Sequence, residues 1–150
     1  MTRYLPGQDV ASRIQENIPD AVVACDTTNV WIRPEAVLQV CRLLHDSEEF
    51  SFDFLNSVTG VDYIDYFEVV YHLTSLQHNQ AIVLKAKCHG RDNPTIPSVS
   101  QVWQGANLQE REVYDLMGIT FENHPLLKRV LLWEGFEGYP LRKDYLEPPR

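Results

Sequence analysis

The chain has 150 residues, of which 44% are hydrophobic and 23% charged, and a formal net charge of -8. That length suits one domain with a sizeable core, and the acidic balance argues against a nucleic-acid binder, which needs a basic stripe. No apolar run approaches the ~20 residues that span a bilayer, and Met1 to Gly7 lack the apolar core of a secretory signal, so the expectation is a cytosolic chain that meets a membrane only through a partner.

Val10, Ile14 and Ile18 recur at helical spacing and predict a short helix over 9–18, stopped by Pro19. Ala21 to Ala24 and Val30 to Ile32 are apolar runs split by Asp26-Thr27-Thr28-Asn29, which reads as a hairpin. Pro34 at a first helical position opens a helix over 34–45, with Val37, Val40, Cys41 and Leu44 on one face. Phe50, Phe52 and Phe54 alternate with Ser51 and Asp53 and predict a half-buried strand. Alternation also predicts strands over Phe67 to Leu76 and Ala81 to Cys88, with Val61 to Tyr66 and Gln77 to Gln80 as connections. The fold class that follows is α+β: a small, mostly antiparallel sheet with helices on one face, plus a long irregular C-terminal tail.

Asp92-Asn93-Pro94-Thr95-Ile96-Pro97 interrupts this pattern, because neither proline can donate to a ladder. Asn107 then stands three residues before Glu110, the spacing of a capping box, and Gly118 stands where a left-handed cap would end the helix. A helix over 108–117 would carry Glu110, Arg111, Glu112 and Asp115 beside Leu108, Val113, Leu116 and Met117. Arg111 and Asp115 lie one turn apart and are expected to pair. Pro125, Pro140, Pro148 and Pro149 forbid long regular elements after Ile119, yet the tail is rich in apolar residues such as Phe121, Leu131, Trp133 and Tyr145. A merely disordered tail would be polar. The expected organisation is an α+β domain over 1–90, a linker and charged helix over 91–118 belonging to it, and a partner-binding tail over 119–150.

Chemistry of its own is hard to find in this chain. No glycine-rich phosphate cradle occurs, and the five histidines and three cysteines lack metal-ligand spacing. Cys25, Cys41 and Cys88 read as inert thiols. No Lys or Arg falls between Arg42 and Lys85, while Asp46, Glu48, Glu49, Asp53, Asp62, Asp65 and Glu68 all do, a block that reads as a solvated face. Two other classes make distinct demands. An acid–base enzyme needs Glu110, Glu112 and His124 in one pocket, and a metal protein needs the three sulfurs around one ion.

Glu110-Arg111-Glu112, two residues, Asp115-Leu116-Met117, six residues, His124, three residues, then Lys128, one residue and Val130-Leu131 resembles the signature of the 30 kDa subunit family of respiratory complex I, which in bacteria is the NADH–quinone oxidoreductase. The resemblance extends upstream through Asp92-Asn93-Pro94, Pro97-Ser98-Val99 and Trp103 to Asn107, and downstream from Gly135 through Asp144 to Tyr145. It implies a structural subunit of the hydrophilic arm of a proton-translocating NADH:quinone oxidoreductase. Such a subunit is peripheral on the cytoplasmic side of the cell membrane, without membrane insertion. It lies against the 49 kDa-type subunit, has no cofactor of its own, and leaves FMN, iron–sulfur clusters and quinone to its partners. Glu110, Arg111, Glu112, Asp115 and His124 would then fix local structure and partner contacts, with Arg111 the candidate for a bidentate carboxylate. Lys128, Arg129, Arg142 and Lys143, with Asp144, would meet the neighbour. An end at Arg150 is expected of the separate-subunit form. The same signature occurs in F420H2- and ferredoxin-dependent relatives, in the photosynthetic counterpart and in membrane-bound hydrogenases, so it leaves the electron donor open.

Overall fold

The computed structural model describes residues 1–147; Pro148, Pro149 and Arg150 of the expected tail lie outside the described residues. Strands β1 (Arg3–Tyr4), β2 (Val22–Cys25), β3 (Asn29–Ile32), β4 (Phe54–Asp62), β5 (Tyr66–Ser75) and β6 (Gln80–His89) form one sheet in the order β2-β3-β6-β5-β4. β1 and β3 lie end to end along one edge of β6 and run parallel to it, because helix α1 (Gly7–Asn17) and the β2–β3 hairpin carry the chain back to the same edge. The β2–β3, β4–β5 and β5–β6 pairs are antiparallel. The α+β expectation therefore holds, with a mixed sheet in which antiparallel pairing predominates.

The alternation read from the sequence decides what faces the core. Phe67, Val69, Tyr71 and Leu73 of β5 and Ile82, Leu84, Ala86 and Cys88 of β6 share one face of the sheet. They join the buried residues of α1, of α2 (Val37–Asp46, entered by a 3-10 turn at Pro34–Ala36) and of α3 (Ala106–Met117) in a single core. Burying each large apolar side chain there contributes about 1.5–3 kcal/mol.

Three expectations change. Phe50 and Phe52 are buried but precede the strand: Ser51 has a φ of 46°, and the N–H of Phe52 donates to Leu44 O at the end of α2 instead of to a ladder. β4 starts only at Phe54 and runs through Asp62, so the β4–β5 connection shrinks to a tight turn at Tyr63–Asp65. The proline segment does form a strand. β7 (Thr95–Pro97) pairs in parallel with β8 (Thr120–Glu122) as a separate two-stranded ribbon. Its prolines are tolerated because a ribbon leaves one edge of each strand without ladder duty. The ribbon ties together the chain on either side of α3.

α3 begins at Ala106 with Gly105 at its N-cap and no side-chain cap, so Asn107 and Glu110 form no capping box. Its C-terminal stop is the expected one: Gly118 takes a φ of 74° and its N–H donates to Tyr114 O. A Cβ at Gly118 would lie 2.7 Å from the Tyr139 ring and from Arg142. Gly118→Ala is expected to destabilise the chain by about 1–2 kcal/mol from left-handed strain, and further through that contact. Chemical denaturation checks this; an unchanged midpoint would show that the tail does not close on this joint.

Candidate functional site: the charged helix and the tail folded over it

Helix α3 seats on β4, where Gly60 leaves room for Met117 and Val113. Of its charged residues, Glu110 and Asp115 are fully closed to solvent, whereas Glu112 is exposed and Arg111 intermediate. The expected Arg111–Asp115 pair does not form, because each serves the tail. Arg111 donates through Nε to Lys128 O at 3.0 Å and through Nη2 to Arg129 O at 3.2 Å, so it binds backbone carbonyls and not a carboxylate.

Asp115 sits near the C-terminal end of α3, where the helix dipole disfavours an anion. Its partners come from the tail. Oδ2 accepts the consecutive N–H groups of Val130, Leu131 and Leu132 at 3.0, 2.7 and 3.0 Å, and Oδ1 accepts Nη1 of Arg129 at 3.2 Å. Burial alone would raise the pKa of this carboxyl. The three N–H groups and the Arg129 guanidinium outweigh it and hold the group below its ordinary 3.8. Arg129 also donates to Gly138 O at 2.9 Å and stands over the Phe136 and Tyr139 rings.

Arg142 ends the same helix in a favourable sense. It donates to Met117 O at 2.6 Å and to Arg91 O at 3.0 Å, placing a cation at the negative end of the dipole. Leu141 N–H donates to Leu116 O alongside it. A third tie is made by Arg91 and Asp62, neither of which is in the signature. Arg91 grips both oxygens of the buried Asp62 at 2.7 and 2.9 Å and also pairs with Asp144 at 3.1 Å, while Lys143 N–H donates to Asp62 Oδ2 at 2.9 Å. That fork holds the Asp62 carboxyl far below the usual range. The pair could have been sought by charge balance: Asp62 lies in the stretch without Lys or Arg, and Arg91 comes just after the end of β6.

Glu110 faces inward. Ser98 Oγ donates to Oε1 at 2.6 Å and Val99 N–H to Oε2 at 2.9 Å, fixing the segment that leaves β7. Burial pushes its carboxyl from 4.5 up to about 7, with those two donors opposing the shift. The His124 side chain is also closed to solvent. Its Nε2 donates to Asn107 O at 3.0 Å, and its Nδ1 accepts Leu126 N–H at 3.0 Å, which puts the proton on Nε2, 4.0 Å from Glu110 Oε1. Glu112 is not part of this cluster, so the three groups of the acid–base reading do not share a pocket.

Of the tail cations, Arg129 and Arg142 bind their own chain, while Lys128 and Lys143 are exposed. Among the described residues no group of three or more His, Cys, Asp or Glu side chains could hold a metal ion. Burial pushes the Cys88 thiol up to about 11 and Cys41 higher still. A cleft of about 540 Å³ between Trp31, Pro34, Cys88 and Pro97 contains none of the charged signature residues. What the tail presents is apolar: Leu126, Val130, Leu131, Trp133, Leu141 and Leu146 are all exposed. Polar bonds set its path, and these six side chains face solvent, while Leu127, Phe136 and Tyr139 are half-buried.

Residues 30–149 match the family model described as respiratory-chain NADH dehydrogenase, 30 Kd subunit. The chain is 42% identical over 147 residues to the C-type subunit of NADH-quinone oxidoreductase from Roseiflexus castenholzii, covering 93% of this chain and 84% of that one. It is 44% identical over 117 residues to the second C-type subunit of NADH-quinone oxidoreductase from Rhizobium meliloti, covering 76% and 63%. A chain in the structure of the membrane-bound sulfane sulfur reductase, an archaeal respiratory membrane complex, shares the fold with a TM-score of 0.72. It is 24% identical, with 92% and 84% of the two chains covered.

Two outcomes are expected. Asp115→Ala should remove the hydrogen-exchange protection of the Val130, Leu131 and Leu132 amides while the β5 and β6 amides keep theirs; retained protection would show that the carboxylate does not hold the tail. Glu110 holds its proton more tightly folded than unfolded, so its contribution to stability is fully present below pH 4.5 and is lost as pH rises to about 7. That change is on the order of 3 kcal/mol. Glu110→Gln should flatten it, as read from the difference between the two proteins in denaturation series across that window.

Proposed function

The chain belongs to the 30 kDa subunit family of respiratory-chain NADH dehydrogenase, and from that premise we propose that it is a cofactor-free structural subunit in the hydrophilic arm of a proton-translocating NADH:quinone oxidoreductase. In this reading it packs against the 49 kDa-type subunit through its tail, on the cytoplasmic side of the membrane. FMN, iron–sulfur clusters and quinone are held by partner subunits, and the chain alone catalyses nothing. No helix among the described residues is long and apolar enough to cross a membrane, which agrees with peripheral attachment.

One observation carries the reading. The tail is ordered by charges on α3 and by Arg91 while Leu131, Trp133, Leu141 and Leu146 stand exposed on it. A segment fixed in shape before it meets a partner loses less conformational entropy on binding. Large apolar side chains on such a segment suit the buried centre of an interface, and the exposed Lys128 and Lys143 suit its polar rim. The signature residues Glu110, Arg111, Asp115, Arg129 and Arg142 then act by positioning this surface, and Glu112, Lys128 and Lys143 remain for contact with the neighbour.

The test is recovery of the tagged full chain from a mild-detergent extract of its source membranes, with an absorption spectrum of the eluate. A multi-subunit assembly with iron–sulfur absorbance and NADH:quinone activity is expected. An assembly active only with F420H2, ferredoxin or hydrogen would move the chain to the corresponding relative. A lone colourless chain from a well-preserved extract would overturn the proposal.

A further inference from the structure

Ile64 occupies the tight turn between β4 and β5 with a φ of 73°, and it is 61% exposed. The other non-glycine residues with positive φ among those described are Asp20, Ser51, Asn79 and Asn123, polar residues suited to turns. A β-branched side chain in this region is a genuine outlier. The conformation is enforced from both sides. Ile64 N–H donates to Asp62 Oδ1 at 2.8 Å, and Ile64 O accepts Arg91 Nη1 at 2.9 Å. Asn or Gly would take the same backbone without strain. Because the isoleucine side chain is largely exposed, its advantage does not come from packing inside this chain.

We propose that Ile64, with the neighbouring exposed Tyr63, inserts into an apolar pocket with a basic rim on the same partner protein that the tail engages. This rests on the reading of the chain as a subunit whose tail binds that partner. The turn and the tail form one surface: Ile64 N–H and Lys143 N–H bind the two oxygens of the single Asp62 carboxylate, and Arg91 links that carboxylate to Asp144. Leu141 and Leu146, on either side of that tie, are exposed as well. The basic rim follows from Asp65, the exposed carboxylate directly beside the apolar tip, since Asp144 is already taken up by Arg91. That acid also disfavours a second copy of this chain as occupant, since a two-fold contact centred on Ile64 would bring Asp65 against its own kind.

The experiment compares Ile64→Asn and Trp133→Ala with the unaltered full chain, each incorporated in the source cells and recovered as the detergent-extracted assembly. The asparagine removes the apolar side chain and relaxes the backbone. Purified Ile64→Asn should unfold at the same or a higher temperature, while its retention in the assembly through salt washes falls about tenfold or more, as for an interface hot spot. Equal retention of Ile64→Asn with loss of Trp133→Ala overturns this inference and leaves the subunit reading standing. A variant both less stable and less retained assigns Ile64 to internal structure and also overturns it. If the unaltered chain enters no assembly, both readings fall.

Discussion

A carboxylate shut away from water near the C-terminal end of a helix must find donors elsewhere, and Asp115 finds them in the tail. Three consecutive N–H groups at Val130 to Leu132 and the Arg129 guanidinium converge on it. The rest of residues 123–147 follows from that constraint. With Asp115 holding 129–132, Arg111 reaches the carbonyls of Lys128 and Arg129, Arg129 reaches Gly138, and the Phe136 and Tyr139 rings settle over its guanidinium. Arg142 then closes the helix end, and Arg91 ties the last turn of the tail to the sheet. The backbone groups that regular secondary structure would satisfy are satisfied here by side chains of the domain.

The same helix buries a second carboxylate with the opposite electrostatic outcome. Glu110 and Asp115 are equally closed to solvent, yet one pKa rises and the other falls. The difference lies in depth and in donors: Glu110 lies deeper in the protein with a hydroxyl and one N–H, whereas Asp115, under the tail, has three N–H groups and a full cation. Two neutral donors do not offset the heavier desolvation of Glu110, whereas an N–H nest with an arginine offsets the lighter one at Asp115. Glu110 thus sits in a core whose other polar members, Cys41 and Tyr71, are also driven to their neutral forms by burial.

Elements whose signals are local were legible in the sequence. Alternation located β5 and β6, the apolar face located α2, and Gly118 marked the left-handed stop. The dense signature pointed to the family, and with it to a surface made of helix and tail. What stayed hidden depends on contacts distant in sequence. Periodicity cannot tell that Glu110 turns inward to Ser98, 12 positions away, instead of back to its own cap. Asp62 and Arg91 lie 29 positions apart, and only the paired strands between them bring them together. The β7–β8 ribbon is not legible locally, because proline excludes a strand only where both of its edges must pair, and the sequence does not show that these strands have one neighbour each.

Most of these ties read the tail's backbone and not its side chains. Asp115 accepts N–H groups, Arg111 donates to carbonyl oxygens, and Lys143 is held by its amide. The identities of Val130, Leu131 and Leu132 therefore do not enter the clamp, provided each position keeps its amide hydrogen. Selection on the surface offered to a neighbour is in this way separated from selection on the course of the chain. A lineage can rewrite those side chains to follow changes in its partner while the same few charges on α3 keep the path. Proline is the one substitution there that would break both at once.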